Sequence, residues 1–444
     1  MAVLYSETRQ DSYMQLTPLE PWIAHKIGLT GQQLDIKALQ AWQLKKLNET
    51  LHLASQKSIF YRRHLQGFPN ELGCLSDLQQ LPLTSAADLR ANPLAFVCVS
   101  QDEIARVVTL QTSGTSGLPK RLFFTTDDQE LTTDFFGVGM ETLTKPGDQI
   151  LILLPVEKPG SVGDLLRQGL QRVQRTPIPY GPVRDPQDAL MQIDRLRIEC
   201  LVGSPSQVLG LAQRWEAGMH RPRSVLLSTD YVPQAILNTL ENSWGCQVFN
   251  HYGTTEMGLG GGVDCEVRRG YHLREADLYF EMIDPSSGKL LPPGEYGEVV
   301  FTTLTRQGMP LIRYRMGDRS RFIPGQCPCG TQLKTLEHVS GRWEGFLTVG
   351  EQILRLSDLD EALFALPGLL DFKATLQGSP GQEELLIEAI WEHEVEDSNA
   401  ARSLLLELPS LQSVDVRISH RYEPDYPGSL QKRIIHDLRH QLPL

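Results

Sequence analysis

The stretch Gln111-Thr112-Ser113-Gly114-Thr115-Ser116-Gly117-Leu118-Pro119-Lys120 decides how this chain is read. Gly114 and Gly117 let the backbone come close to an anion, so that its N–H groups point at the oxygens. Thr112, Ser113, Thr115 and Ser116 add hydroxyl donors, and Lys120 adds a mobile positive charge. The Gly-Lys-Ser/Thr ending of a P-loop is missing. Clusters of Ser, Thr and Gly usually mark ordinary turns. This density of donors ending in Pro-Lys reads instead as a loop that wraps a polyphosphate.

Working outward, Ala-Arg-Val-Val-Thr-Leu at 105–110 reads as a strand entering the loop and 121–125 as a strand leaving it. That makes a strand-to-strand turn, unlike the strand-to-helix turn of a dinucleotide fold. Upstream, Ile36, Leu39, Leu44, Leu47, Leu51 and Leu53 recur at helical spacing over 36–66. Downstream, strands at 149–155, 200–203, 224–228 and 246–250 alternate with helices at 163–173 and 186–197. Such alternation predicts α/β layering with a largely parallel sheet. Residues 277–304 turn β-rich around a Pro-Ser-Ser-Gly turn. The last hundred residues predict helices at 357–366 and 398–406 and strands at 372–377, 384–391 and 413–419. The fold class is therefore α/β. Residues 1–340 form a large N-terminal domain of layered subdomains with a β-rich part. Residues 341–444 form a small α+β C-terminal domain, the break falling near Ser340-Gly341.

The chain has 444 residues, 41% hydrophobic and 22% charged, and a formal net charge of −12. That composition is ordinary for a globular protein whose core needs no disulfide support. No basic stripe marks a nucleic-acid surface, although a local cradle of donors still holds a small polyanion against the global charge. No secretory leader and no apolar run of about 18 residues stands out. The odd count of seven cysteines suits a reducing compartment. A cytoplasmic protein without nucleic-acid or membrane partners is expected.

Three further clusters carry chemistry. His251-Tyr252-Gly253-Thr254-Thr255-Glu256 follows a strand, where ligands commonly bind. Its ring can stack on a purine, and its carboxylate can hold Mg²⁺ beside a phosphate. Arg313-Tyr314-Arg315-Met316-Gly317-Asp318 is by default a solvated ion-pair network; functionally, Asp318 would accept from ribose hydroxyls. Gly341-Arg342-Trp343-Glu344-Gly345 sits on the expected domain boundary.

In this order and spacing the clusters resemble the adenylate-forming (acyl-CoA synthetase-like) superfamily, and within it the phenylacetate–CoA ligase branch, over nearly the whole chain. Ser58-Ile59-Phe60-Tyr61-Arg62-Arg63 with Leu81-Pro82-Leu83-Thr84 is similar to that branch's N-terminal signature. Phe301-Thr302-Thr303-Leu304 is similar to a later core motif. The resemblance implies that a carboxylate attacks the α-phosphate of Mg·ATP to give an acyl adenylate and pyrophosphate. A thiol, usually coenzyme A, then displaces AMP. It implies that Thr112, Ser113, Gly114, Thr115, Ser116 and Gly117 hold the β- and γ-phosphates with help from Lys120. Tyr252 would stack on adenine beside Gly253 and Thr254, Thr255 would touch the α-phosphate, and Glu256 would bind magnesium. Asp318 and Arg342 would hold the ribose, and Ser228, Thr229 and Asp230 would line the adenine. Glu344 matches an acidic hinge residue about which the mobile C-terminal lid turns. Positioning and charge neutralisation run such chemistry, so no Ser/His/Asp triad is needed.

The superfamily's C-terminal catalytic lysine follows a Ser/Gly turn. Here the segment is Pro427-Gly428-Ser429-Leu430-Gln431-Lys432-Arg433, without a Gly-Lys pair. Lys432 is the nearest candidate, and Leu430 takes the position in some alignments. Cys265, His272, Cys327 and Cys329 make a Cys₃His set suited to a closed, structural zinc site; free buried thiols and a core histidine are the plainer alternative. The expected activity is an ATP-dependent, AMP-forming ligase of an aryl or arylacetic acid with coenzyme A. Its acid pocket is expected to draw on 155–163 and 258–262, where the glycines leave room for a ring or a tight turn. Two alternatives stand beside it: transfer to a carrier-protein thiol or an amine, and a nucleotide-binding homologue with impaired adenylation. A homodimer is left open.

Overall fold

In the computed structural model, Arg106–Leu110 and Lys120–Phe124 pair antiparallel with Leu110 opposite Lys120, so the two strands do flank a strand-to-strand turn. The described residues are 15–31, 33–110, 119–343, 345–379, 381–393, 399–422 and 433–439. Thr112 to Gly117, Glu344 and Lys432 lie outside them.

The apolar runs of the middle of the chain form an eight-stranded sheet. Gln247–Tyr252, Ser224–Leu227, Cys200–Gly203, Gln149–Ile152 and Thr176–Pro179 are neighbours in that order and parallel. Helices Val162–Arg172 and Pro186–Leu196 stand where the spacing predicts them. The alternation implies two more helices without locating them, Pro205–Gln213 and Gln234–Trp244. Strands covered on both faces read as unbroken apolar runs, which is why these were visible in the sequence. Gly262–Asp264, Tyr271–Leu273 and Thr335–Leu336 extend the sheet antiparallel from Gln247–Tyr252. The change of direction puts the carboxyl ends of the parallel strands beside a row of turns, where a ligand crevice forms.

The single helix expected over 36–66 is two, Ile36–Lys57 and Ile59–His64. Ser58 breaks it with extended backbone, and its hydroxyl accepts from Tyr61 N at 3.1 Å while donating to Ala95 O at 2.8 Å. A serine capping a new helix outcompetes the apolar period. The second helix presents Tyr61 to a buried network. Ile312 N donates to Tyr61 Oη at 2.8 Å, and Thr84 Oγ1 donates to Ile312 O at 2.7 Å. Thr84 also bridges to Tyr314, tying the N-terminal signature to the antiparallel sheet of Leu278–Ile283, Gly297–Thr303 and Tyr314–Ser320. Arg313, at the head of the last strand, is 2% exposed and left-handed at φ 47°. Its guanidinium pairs with Glu281 at 3.0 Å and donates to Leu81 O at 2.6 Å. The solvated network expected there is therefore a buried clamp, because backbone carbonyls satisfy the charge.

Among the described residues, strands beyond 345 pair only with one another. Asp415–Tyr422, Gln382–Trp391, Leu369–Ser379 and Ile435–Asp437 form one sheet, and Phe346–Val349 with Gln352–Arg355 a hairpin. Leu359, Phe372 and Leu385 share one apolar cluster with Val208, Ile236 and Leu240 of the helices over the parallel sheet. Beside this contact, Arg433 donates to Asp360 at 2.7 and 3.2 Å and to Asp230 at 3.3 Å, with Asp371 at 3.8 Å. One guanidinium faces three carboxyls. Burial, with Asp230 and Asp371 adding to it, pushes the Asp360 carboxyl up to about 7 against the pull of Arg433.

The unfolded chain ionises Asp360 near its ordinary 3.8 while the fold keeps the proton to about 7. Between those values the fold binds the extra proton, so this group's contribution to stability declines as pH rises, by up to about 1.4 kcal/mol per unit. Above 7 the loss is complete. Thermal denaturation of Asp360→Asn from pH 4 to 8 is expected to be flatter than that of the parent. Parallel curves would show that Asp360 is ionised throughout.

Candidate active site

Tyr252 ends the strand at the sheet's change of direction, and the chain then turns sharply. Gly253 is required there, since a Cβ would lie 2.2 Å from Leu259 O. A short 3-10 helix, Thr255–Met257, follows. Buried cations hold this turn from behind. Arg306 Nη1 donates to Glu256 O at 2.9 Å, Arg274 Nη2 to Met257 O at 2.5 Å, and Thr132 Oγ1 to Gly258 O at 2.6 Å. Burial pushes the Arg306 guanidinium down to about 10, which still leaves it charged at neutral pH.

The turn presents Glu256 to Lys120, and the two form an ion pair with side chains 6% and 18% exposed. Tyr314 Oη donates to the same carboxylate at 3.5 Å. Burial alone would raise the Glu256 pKa, but the ammonium of Lys120 outweighs it and holds the carboxyl below its usual range. A buried carboxylate kept ionised is a suitable ligand for a hard divalent cation. Thr255 sits one residue before it, and Thr254 Oγ1 is buried without a partner among the described residues.

Tyr252 donates its hydroxyl to Asp318 at 2.8 Å and stacks on Tyr271 with centroids 5.4 Å apart. Burial, followed by the Asp318 charge, pushes the phenol well above its ordinary range, so it remains a donor. Asp318 and Arg342 pair as a β-bridge, the guanidinium Nε lying 3.7 Å from the carboxylate. Gly317, at φ 74°, lets that guanidinium cross its backbone, where a Cβ would sit 2.8 Å away. Ser228 to Asp230 follow the neighbouring parallel strand. Thr229 there is left-handed at φ 82°, a strain of about 1–3 kcal/mol for a side chain that rarely adopts it.

Against this group lies a small apolar cavity, partly open to solvent. Its walls include Phe135, Phe136, Met140, Leu166 and Val263, with Ser228 and His251 as polar members. Of the stretches expected to line an acid pocket, 155–163 supplies Val162. The glycine run 258–262 instead makes way for the protein's own ring, because a Cβ on Gly260 would meet Phe135 at 2.4 Å.

The four metal-ligand candidates converge. Cys265 Sγ lies 3.7 Å from Cys327 Sγ, Cys329 Sγ lies 3.4 Å from His272 Nε2, and all four ligand atoms fall within 4.8 Å of one another. Ligands on a tetrahedral zinc at about 2.0–2.3 Å stand roughly 3.4–3.8 Å apart. His272 Nδ1 is 3.3 Å from Lys334 O, a contact that turns Nε2 toward the thiols. The set fits a closed zinc site.

Among the residues expected from the sequence, Lys120, Tyr252, Glu256, Asp318 and Arg342 come together, while Ser228 to Asp230 adjoin them. Arg274, Arg306, Tyr271, His251 and the Phe135–Phe136 wall went unpredicted. Only His251, adjoining Tyr252, carried a signal.

A family model described as AMP-binding enzyme matches residues 46–305. The chain is 27% identical over 349 residues to the phenylacetate-coenzyme A ligase of Pseudomonas putida, covering 73% of this chain and 78% of that one. It is 28% identical over 374 residues to the phenylacetate-coenzyme A ligase of Thermus thermophilus, covering 80% and 81%. A crystal structure of 2-hydroxyisobutyryl-CoA ligase in the postadenylation state has the same fold, with a TM-score of 0.75, 20% identity and coverage of 91% and 89%. The chain belongs to the AMP-binding enzyme family.

Proposed function

We propose that this enzyme joins a carboxylic acid to coenzyme A, consuming ATP and forming AMP through an acyl adenylate. The observation that carries the reading is the convergence of Lys120–Glu256 and Tyr252–Asp318–Arg342 on one crevice at the carboxyl ends of parallel strands. Asp318 and Arg342 hold the ribose, Tyr252 and residues 228–230 bound the adenine, and the 112–117 loop grips the distal phosphates. Thr255 meets the α-phosphate. Glu256 holds Mg²⁺, which supplies charge neutralisation on the phosphates. Lys120 then leaves Glu256 for phosphate oxygens, and the apolar walls around Phe135 keep the acid's carboxylate dry and close to its target.

The acid is of aryl or arylacetic type, which the aromatic cavity walls support. Residues 341–444 form the lid, turning at Glu344 and bringing Lys432 to the adenylation step. A structural zinc sits on Cys265, His272, Cys327 and Cys329. A cytoplasmic location belongs to the same reading. All seven cysteines are free, and no helix among the described residues is long and apolar enough to cross a membrane.

Acid-dependent exchange of pyrophosphate into ATP is the test, followed by AMP release on adding coenzyme A. Exchange and CoA-dependent thioester formation are expected with at least one aromatic acid. Exchange with no acid of a broad panel would refute the reading, and exchange without use of free CoA would move the acceptor to a carrier thiol or an amine.

A further inference from the structure

His251 lines the apolar cavity and carries an unused hydrogen-bonding atom. Ser228 Oγ and His251 Nδ1 bond each other at 2.9 Å, whereas His251 Nε2 is buried with no partner among the described residues. Burial, with the charge of Arg274 adding to it, pushes the imidazole down to about 4, so the ring is neutral near pH 7. If Nδ1 accepts from Ser228, Nε2 carries the proton and is a donor; if Nδ1 donates, Nε2 is an acceptor. In either tautomer a buried polar atom goes unsatisfied, which costs about 1–3 kcal/mol. No group among the described residues offsets that cost. The ring is also well fixed, with Phe135 and Phe136 at centroid distances of 6.1 and 5.7 Å and Ser228 holding the opposite nitrogen.

We propose that the acid this enzyme activates carries a hydroxyl or amino substituent that bonds His251 Nε2, so that the pocket selects a substituted aryl or arylacetic acid over its bare parent. The inference rests on reading the cavity as the acid site of the ligase. His251 is then a specificity residue, and Ser228 positions its ring by bonding the opposite nitrogen. A site built to bond a substituent leaves its own buried atom unpaired when the substituent is missing, and so discriminates far better than a hydrocarbon wall can.

The test is acid-dependent pyrophosphate exchange on matched acids. Phenylacetate is compared with its ring-hydroxylated and ring-amino counterparts, and benzoate with hydroxy- and aminobenzoates. The parent enzyme is expected to favour at least one substituted acid over its bare partner by about 10- to 100-fold in kcat/KM. His251→Leu is expected to bring that ratio near one, and His251→Asn, which keeps a donor and an acceptor, to retain part of it. A histidine with a purely structural role would lower both members of a pair together and leave the ratio unmoved. Equal kcat/KM for every pair in the parent enzyme, or an unmoved ratio in His251→Leu, overturns the proposal while the ligase reading stands. If His251→Leu does not fold, the parent ratio and His251→Asn decide. Exchange with none of these acids overturns this inference, and exchange with no acid of a broad panel defeats the ligase reading itself.

Discussion

Glu256→Gln is expected to lower acid-dependent pyrophosphate exchange by roughly 100-fold or more, because it removes a metal-holding charge from phosphoryl-type chemistry. The carboxylate is buried, held ionised, and already paired with the ammonium of Lys120. Two roles are open to it: holding the divalent cation, or neutralising Lys120. The counter-ion role is put to the test in a double variant. Glu256→Gln alone strands a largely buried lysine, a loss that for buried pairs runs to about 3–5 kcal/mol. Adding Lys120→Met removes the stranded charge and should restore thermal stability. Activity should not return with it, and protection of the fold by Mg·ATP against heat should stay lost. If the double variant recovers exchange along with stability, Glu256 is only the counter-ion of Lys120 and its metal role falls.

The elements legible in the sequence were those whose signal is local. The strands on either side of residues 111–120, the parallel strands and the Tyr252–Glu256 turn depend on period-two or unbroken apolar runs and on glycines at fixed offsets. Their placement follows from the chain a few residues away. Tyr252 and Asp318 were each read as nucleotide ligands, and their side chains meet at 2.8 Å where the two strands that carry them converge. What stayed hidden acts through backbone or through distance. Arg274 and Arg306 look like surface cations in sequence, but they donate to the carbonyls of 256 and 257, which have no residue signature. Arg313 deceived for the same reason, its partners being the carbonyl of Leu81 and a glutamate on another strand. Phe135 and Phe136 lie on a helix, Thr126–Met140, where an aromatic pair reads as core and nothing local says that it walls a cavity. The Cys₃His set was legible because thiols and imidazole are rare enough to be matched across long gaps.

Purified without added zinc, the protein is expected to hold about one zinc per chain. Cys329→Ser is expected to lose that metal and to melt about 10 °C lower, since a structural site contributes several kcal/mol directly to folding. The location of the cluster makes a second effect follow. Cys265 lies just beyond strand Gly262–Asp264 and His272 within Tyr271–Leu273, while Cys327 and Cys329 precede Thr335–Leu336; a metal held there would staple the antiparallel edge of the main sheet. The loop after Cys329 is tied in turn to the N-terminal helix, where Glu20 accepts from Thr331 Oγ1 at 2.5 Å and from Gln332 N at 2.7 Å. Tyr271, next to His272, stacks on Tyr252, whose hydroxyl bonds Asp318. Losing the staple should therefore loosen the nucleotide end of the site, raising the KM for ATP more than the KM for the acid. Metal analysis, melting curves and the two KM values check this on one preparation. A zinc-free enzyme whose Cys329→Ser variant melts with its parent would reduce the cluster to packed thiols. A variant that loses zinc and stability but keeps both KM values would confine the metal to holding the sheet edge, with no reach through Tyr271 to the site.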